Sequence, residues 1–290
     1  MTTSPTLFVS GASGHLGRLV LKALAERGYD GKIVAGTRDP KKLADVTGVE
    51  VRAADFNDEA GLTKALAGVD RMLLISTDEI GTRLAGHLRA IAAAKAAGVK
   101  EIIYTSMPTP EAPSAITFAP EHLGTEEAIK ASGLAYTILR MTWYTENLLG
   151  SLPPNLASGQ WYTSSAGKTS YVTREDCARA AAGALLQPAT NQILTVTGPE
   201  ALSAAEIAAI ASDVTGKPLT VIDVTDEQLA GGAKAAGVPD FVIDNFIVPF
   251  DRNAREGKVA SVTEAVEKLW GAKPTSVRTF LAANKAALGA

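Results

Sequence analysis

Three glycines at three-residue spacing follow the first apolar segment of the chain and precede a helical pattern. Residues 10–17 read Ser-Gly-Ala-Ser-Gly-His-Leu-Gly, with glycine at 11, 14 and 17. The first glycine can close a tight turn, the second lets a pyrophosphate approach the backbone, and the third lets the helix pack on the strand. The free amides at the helix N-terminus also favour phosphate. The context predicts a dinucleotide site formed by Gly11, Ser13, Gly14, His15, Leu16 and Gly17.

The end of the second predicted strand carries a cation where a dinucleotide site reads the adenosine ribose. Residues 36–42 read Gly-Thr-Arg-Asp-Pro-Lys-Lys. An acidic residue here accepts from the ribose 2′-hydroxyl of NAD, whereas an arginine accommodates the 2′-phosphate of NADP. Asp39 precedes a proline, which is typical of a helix N-cap whose carboxylate turns to the helix amides. Arg38 therefore favours NADP, the alternative being a solvated surface charge.

Asp55 and Phe56 follow the third predicted strand. Asp55 could accept a hydrogen bond from the adenine amino group. Capping the helix that begins near Asp58 explains the same carboxylate equally well. We include both residues in the predicted cofactor site and leave the two roles of Asp55 open.

Composition excludes several other kinds of site. Twenty-eight Lys and Arg against 31 Asp and Glu leave a net charge of −3, and no block of like charges predicts nucleic-acid binding. Three histidines and one cysteine, Cys177, do not form a zinc-ligand spacing, so we expect no metal site. The lone cysteine favours a reducing, cytoplasmic location. We expect neither a signal peptide nor a membrane span, because no apolar run is long enough for one.

Short β-branched runs alternate with helical stretches through the first 140 residues, which is typical of βαβ units. We predict strands over residues 6–10, 32–36, 49–54, 70–75, 101–105 and 134–139. Helical patterns lie between them, notably over residues 16–27 and 84–97. The spacing predicts an α/β fold with a Rossmann-type, doubly wound parallel sheet.

The alternation weakens after residue 140. Pro153, Pro154 and Gly159 indicate an irregular stretch. Strands are predicted over residues 192–197 and 219–222, and helices over residues 174–186 and 204–213 and beyond 225. We therefore predict an NADP-binding domain over residues 1–150, to which later strands could be added, and a smaller, mostly helical substrate-binding lobe over residues 151–290.

Taken together, these motifs resemble those of atypical short-chain dehydrogenases/reductases of the NmrA-like group, especially bacterial NADPH:quinone oxidoreductases and triphenylmethane reductases. The resemblance covers nearly the whole chain. Its most specific segment is Trp143-Tyr144-x-x-Asn147. It implies NADPH as cofactor, Ser76 and Thr77 beside the ribose and nicotinamide, and residues 141–147 beside the nicotinamide and substrate. It is carried by residues 11–17, 37–40, 53–56, 73–77, 96–106 and 139–147.

The general acid of ordinary short-chain reductases is missing. Their Tyr-x-x-x-Lys pair protonates the carbonyl oxygen, but no tyrosine of this chain has lysine four residues later. The corresponding helix contains His122 and Glu126, and we expect Glu126 to pair with Lys130 one turn on. A quinone needs no such acid, because hydride attack gives a phenolate-like anion. The conjugate acid of that anion has a pKa of about 10, so water can supply the proton. The departure favours quinone-like or otherwise activated acceptors.

The predicted catalytic residues are Ser106, which could donate to an acceptor oxygen, and His122, which could donate to a developing oxyanion. The alternative for Ser106 is capping of the loop that follows it. The alternative for His122 is simple packing. The predicted substrate residues flank the nicotinamide or offer flat rings for stacking: Met107, Trp143, Tyr144 and Asn147. For the two aromatic residues, the alternative is an apolar plug. The proline-marked loop over residues 107–118 could act as a lid.

The sequence thus predicts an NADPH-dependent reductase of a planar, quinone-like small molecule. The alternative is a redox sensor that binds NADP without turnover, because regulators of that kind share the fold. Nucleic acid and membrane are not expected partners. A second copy of the chain, in a homodimer, is a further candidate partner.

Overall fold

The computed structural model describes residues 4–289 and is built around one parallel sheet. Its seven strands are β1 (Leu7–Val9), β2 (Ile33–Thr37), β3 (Glu50–Ala53), β4 (Arg71–Leu74), β5 (Glu101–Ser106), β6 (Ala135–Met141) and β9 (Gln192–Val196). They pair in the order β3-β2-β1-β4-β5-β6-β9, and every neighbouring pair is parallel. The order reverses between β1 and β4, which is the point where doubly wound sheets bind ligands.

Four shorter strands form two small ladders outside this sheet. The parallel ladder joins β7 (Gln160–Thr163) to β11 (Thr220–Asp223), and the antiparallel ladder joins β8 (Lys168–Thr169) to β10 (Leu202–Ser203). The helices are α1 (His15–Glu26), α2 (Glu59–Ala65), α3 (Arg83–Ala96), α4 (Ala119–Ser132), α5 (Leu148–Ser158), α6 (Arg174–Leu186), α7 (Ala204–Thr215), α8 (Asp226–Ala235), α9 (Asp240–Val242), α10 (Val248–Arg255), α11 (Ala265–Trp270) and α12 (Val277–Ala283). Within residues 4–289, no helix has the length and apolar character needed to cross a bilayer.

Helices cover both faces of the sheet, which explains why its inner strands are continuous apolar runs. Side chains alternate along β1. Leu7 and Val9 pack with α1, α6 and α11, whereas Phe8 packs with α2, α3 and α4. The same alternation on β5 directs Tyr104 towards the second layer. This arrangement confirms the predicted doubly wound α/β fold.

The chain returns to the sheet after residue 150. Helix α6 packs on α1, and β9 adds to the sheet beside β6. The remaining segments form a smaller, largely helical part whose core joins leucines of α5 to α7 and α12. Strands β5 and β6 each extend one or two residues past the predicted ends, and this places Ser106 and Met141 at the carboxyl edge of the sheet.

The irregular stretch predicted at Pro153 and Pro154 is wrong, because both prolines lie inside helix α5. The helix is held by Leu148, Leu152 and Leu156, which are all buried on one side. Two proline rings remove two helical hydrogen bonds. One of the carbonyls left over belongs to the exposed Gly150, where water can replace the amide.

Candidate cofactor cleft and active site

The glycine turn between β1 and α1 leaves room for a ligand rather than for side chains. Gly11 has φ +57°, and its carbonyl accepts from the Gly14 amide at 2.9 Å. A Cβ at Gly17 would lie 2.4 Å from the Gly11 oxygen, so only glycine fits there. A Cβ at Gly14 would lie 3.3 Å from that oxygen, its nearest contact. No side chain caps α1, and its first amides remain available to an anion.

This turn forms the floor of a cleft of about 360 Å3 at the switch point between β1 and β4. The cleft brings together all eleven predicted cofactor residues: Gly11, Ser13, Gly14, His15, Leu16, Gly17, Arg38, Asp55, Phe56, Ser76 and Thr77. Lys42, Asp78 and Glu79 also line it and were not predicted as site residues. The second lysine after Asp39-Pro40 was a usable signal for Lys42. Nothing in the sequence distinguished Asp78 and Glu79 from other loop acids.

Arg38 lies at the mouth of the cleft with 69% of its side chain exposed. Its Nη1 is 3.2 Å from Oε1 of Glu79, which comes from the loop after β4. Asp39 caps the short 3₁₀ helix Pro40–Leu43 by accepting from the Lys41 amide at 3.0 Å, as predicted. The Asp39 carboxylate is engaged by that cap, and the residue is still part of the cleft lining. Two cations, Arg38 and Lys42, line the cleft together with the carboxylates of Asp39, Asp55, Asp78 and Glu79.

Asp58 rather than Asp55 caps α2, through the Gly61 amide at 2.9 Å. Asp55 accepts from the amide of Asn57 at 2.9 Å while lining the cleft. The capping alternative for Asp55 is therefore wrong. Its contact with adenine stays a prediction.

The backbone amide and the backbone carbonyl of Thr77 are both held by buried side chains of α3. Arg83 Nε donates to the Thr77 carbonyl at 2.6 Å, and the Thr77 amide donates to His87 Nε2 at 3.3 Å. The neighbouring Ser76 amide donates to Thr105 Oγ1 at 2.9 Å. This side of the cleft is thus fixed by hydrogen bonds from β5 and α3.

Ser106 and His122 are buried, and each is already engaged. Ser106 Oγ donates to Glu126 Oε1 at 2.7 Å. His122 Nε2 lies 3.1 Å from Arg83 Nη1, and its Nδ1 lies 2.8 Å from the Tyr104 hydroxyl. Because Arg83 can only donate, His122 Nε2 accepts and Nδ1 carries the proton of a neutral ring. Burial, aided by the nearby Arg83 charge, lowers the pKa of His122 well below its usual value.

The main partner of Glu126 is Arg140 rather than the predicted Lys130. Arg140 Nε and Nη2 reach the two carboxylate oxygens at 2.9 and 2.7 Å, whereas Lys130 Nζ is 3.9 Å away. The Glu126 side chain is fully buried, and a bidentate guanidinium compensates its charge better than a distant ammonium. The Ser106 proton is therefore directed at the Glu126 carboxylate. In this arrangement Ser106 offers lone pairs rather than a proton to a ligand.

Two of the four predicted substrate residues meet in an apolar cluster at the carboxyl edge of the sheet. Met107 and Trp143 pack there with Phe118 and with residues of the smaller part of the chain. The Trp143 indole stacks on Phe250 with a centroid distance of 4.2 Å and an angle of 5°. Phe250 and the adjacent Phe246 were not predicted, because they follow Trp143 by about a hundred residues.

Tyr144 and Asn147 lie outside this aromatic cluster. Tyr144 packs against the core around α1 and α6, and the Arg174 guanidinium lies 4.8 Å from its ring centre. Asn147 is exposed at the end of the 3₁₀ helix Thr145–Asn147. The four residues predicted to bind substrate therefore do not form a single wall.

Comparison with known proteins agrees with this geometry. The NmrA-like family model matches residues 3–281. Quinone oxidoreductase 2 of Escherichia coli K12 is 36% identical over 273 residues, covering 93% of this chain and 95% of that protein. An NAD(P)H azoreductase of Xenophilus azovorans is 30% identical over 292 residues, covering 98% and 99%.

Two solved structures extend the likeness to three dimensions. The E. coli NADPH-dependent quinone oxidoreductase complexed with NADPH superposes with a TM-score of 0.91 at 35% identity, covering 96% of this chain and 99% of that one. The Citrobacter sp. triphenylmethane reductase complexed with NADP(H) gives 0.88 at 31% identity, covering 97% and 99%. With its glycine turn, its cleft at the point where the strand order reverses and its matched length, the chain belongs to the NmrA-like family.

Proposed function

We propose that this chain is an NADPH-dependent reductase that delivers hydride to a quinone or a similar planar, activated acceptor. The observation that carries the proposal is a cleft shaped for a phosphorylated dinucleotide next to an aromatic cluster. Ile80 belongs to that cluster, and it directly follows Asp78 and Glu79 of the cleft. Bound NADPH would supply the hydride.

The residues at the cleft fit this cofactor. Gly14 leaves space at the helix N-terminus, whose amides would bind the pyrophosphate. Arg38 and Lys42 would bind the 2′-phosphate. Relatives of at least 30% identity include an NADPH-dependent quinone oxidoreductase, an NAD(P)H azoreductase and a triphenylmethane reductase, which supports both the cofactor and the reductase activity.

The polar groups near the aromatic cluster favour an acceptor that needs no protein acid. Tyr104 is fully buried against His122, and burial raises its pKa rather than lowering it. Burial also raises the pKa of Tyr144 and Tyr171. A quinone that accepts hydride becomes a phenolate-like anion whose conjugate acid has a pKa of about 10. Water can protonate such an anion. Positioning and exclusion of water from the ring would then supply the catalysis.

We assign the acceptor to the aromatic cluster, with Met107 and Trp143 in its wall and residues 151–290 supplying Phe246 and Phe250. The predicted lid, residues 107–118, is tied to the same part of the chain. Thr109 Oγ1 donates to the Lys258 carbonyl at 2.8 Å, and Lys258 Nζ donates to the Pro113 carbonyl. Trp143 is only 8% exposed beneath Phe250. An acceptor would therefore enter by displacing the Phe250 ring from the indole.

The alternative of an NADP-binding redox sensor is not favoured by relatives that are themselves named as reductases. We also propose a cytoplasmic location, since Cys177 is a single, buried cysteine. A homodimer is a separate proposal, and light scattering of the purified protein would test it.

The function is tested by NADPH oxidation against a panel of quinones, azo dyes and cationic triphenylmethane dyes. We expect turnover with at least one quinone, and no single Tyr→Phe substitution should lower kcat by the 100-fold or more that a general acid typically contributes. Phe250→Ala should change the acceptor KM while leaving the NADPH Kd unchanged. A stable NADPH complex with no acceptor reduction across the panel would instead identify a sensor.

A further inference from the structure

The two loops that line the cleft from opposite sides are both held by side chains of one helix, α3. Arg83 binds the Thr77 carbonyl in the loop after β4. Six residues further on, Arg89 Nε donates to the Phe56 carbonyl at 2.6 Å, and its Nη2 donates to Asn57 Oδ1 at 2.7 Å, in the loop after β3. Thr77, Phe56 and Asn57 all line the cleft. Neither arginine does.

Arg83 is buried in a polar network whose other members leave it little freedom. It is 6% exposed and contacts His122 Nε2 at 3.1 Å, Glu121 Oε2 at 3.7 Å and the face of Phe118 at 5.2 Å. His87 completes the support of Thr77 by accepting from its amide. A buried guanidinium with this many partners is a rigid anchor for a carbonyl.

The two arginines support opposite halves of a dinucleotide site. In doubly wound folds the first three strands bind one mononucleotide and the next three bind the other. Phe56 follows β3, on the side of Arg38, and would contact the adenosine half. Thr77 follows β4, beyond the switch point, and would contact the nicotinamide half.

We propose that Arg83 and Arg89 are positioning residues that preorganise the nicotinamide and adenosine halves of the cofactor cleft separately. Neither would touch the cofactor. Arg89 would fix the Phe56–Asn57 loop against adenine, and Arg83 would fix the Thr77 peptide beside the reacting ring. The inference rests on the proposed use of NADPH.

A ligand that fills only half of the cleft separates the two roles. The probes are NADPH and 2′,5′-ADP, which contains the adenosine half alone, and the Kd of each is measured by calorimetry on the full-length protein. Arg89→Met should weaken both probes by a similar factor of about three to ten, part of one charge-assisted hydrogen bond. Arg83→Met should weaken NADPH by about tenfold and change 2′,5′-ADP by less than about twofold.

Two further variants keep the test decisive. Lys95→Met removes an exposed cation from the same helix, away from the cleft, and should change neither Kd. If Arg83→Met does not fold, Arg83→Lys serves in its place. Its single ammonium keeps the charge but cannot span the Thr77 carbonyl and His122 as the guanidinium does, and we expect a smaller loss confined to NADPH.

An equal loss of both probes in the Arg83 variant would overturn the inference, because it would indicate general loosening of the fold. Unchanged NADPH affinity would overturn it as well. These results differ from failure of the proposed use of NADPH, in which the unmutated protein would bind neither probe.

Discussion

We expect Arg38 and Glu79 to make opposite contributions to cofactor choice, and their separate substitution tests the part of the cleft where the 2′-phosphate is proposed to bind. The two side chains are paired at 3.2 Å, with 69% and 42% of their surfaces exposed. An exposed ion pair of this kind is worth about 0–1 kcal/mol. A charge-assisted contact to a 2′-phosphate is worth about 1.5–3 kcal/mol. Binding of NADPH therefore exchanges a weak partner for a stronger one.

The difference sets the expected magnitudes. After subtraction of about 0.5 kcal/mol, the middle of the ion-pair range, for the lost Glu79 contact, Arg38 should contribute about 1–2.5 kcal/mol to the preference for NADPH over NADH. Arg38→Ala should then lower the NADPH-to-NADH affinity ratio by about five- to seventyfold. Glu79→Gln removes a competing and repelling carboxylate, so it should raise NADPH affinity by up to about fivefold and change NADH affinity less.

The assay is the Kd of each cofactor measured by calorimetry at fixed ionic strength. Lys41→Met is the matched control, because Lys41 is adjacent to Lys42 but does not line the cleft. It should change the ratio by less than about twofold, as a screened surface charge would. Equal affinity of the unmutated protein for the two cofactors would refute the reasoning. So would an equal loss of both cofactors in the Arg38 variant.

Three other expectations follow from single contacts. Gly14→Val should abolish NADP binding with only a small change in Tm, because its Cβ would lie 3.3 Å from a backbone oxygen that has to give by only a few tenths of an ångström. Gly17→Ala should cost about 1–3 kcal/mol of stability, because its Cβ would lie 2.4 Å from a backbone oxygen. Equal Tm losses would contradict this contrast. Arg140→Met removes the guanidinium that pairs with the buried Glu126 carboxylate. It should lower the free energy of unfolding, measured in urea, by about 3 kcal/mol or more. A loss below about 1 kcal/mol would count against the buried pair. Burial lowers the pKa of His87 from 6.5 to about 3. Between these pH values the unfolded chain binds a proton at His87 that the folded chain does not bind. The free energy of unfolding therefore falls as the pH decreases from 6.5. Relative to His87→Gln, the unmutated protein should lose about 1–2 kcal/mol between pH 6.5 and 5, and parallel stability curves would show that His87 is not buried as a neutral ring.

The fold could be predicted because its signals are local. The runs that become β1, β4 and β5 are buried on both faces and therefore appear as uninterrupted apolar segments. The two prolines of α5 were misleading for the same reason. Proline is a strong local signal, and the leucine stripe that overrides it acts through packing on α7 and α12.

The cofactor cleft was equally accessible from sequence, since in a parallel sheet the residues after each strand end meet at one edge. Ser13, Arg38, Asp55 and Thr77 each follow a strand by a few positions. Glu79 has the same placement, but its pairing with Arg38 depends on the geometry of two loops that are distant in sequence.

The acceptor side could not be predicted in the same way. Glu126 faces Arg140 because α4 packs beside β6, and helical spacing alone pointed to Lys130. Trp143 meets Phe250 only because a later helix folds over the sheet edge. Contacts of this kind depend on tertiary packing, which a single sequence does not encode in any local pattern.

The central claim is most directly tested by mixing the purified protein, loaded with NADPH, with 1,4-benzoquinone and following the nicotinamide absorbance in a single turnover. We expect NADPH oxidation well above the uncatalysed rate, a slower rate with NADPH deuterated at the transferred position, and only the uncatalysed rate in Gly14→Val. Oxidation no faster than in the absence of protein, with NADPH still bound, would contradict the assignment of a hydride-transferring reductase.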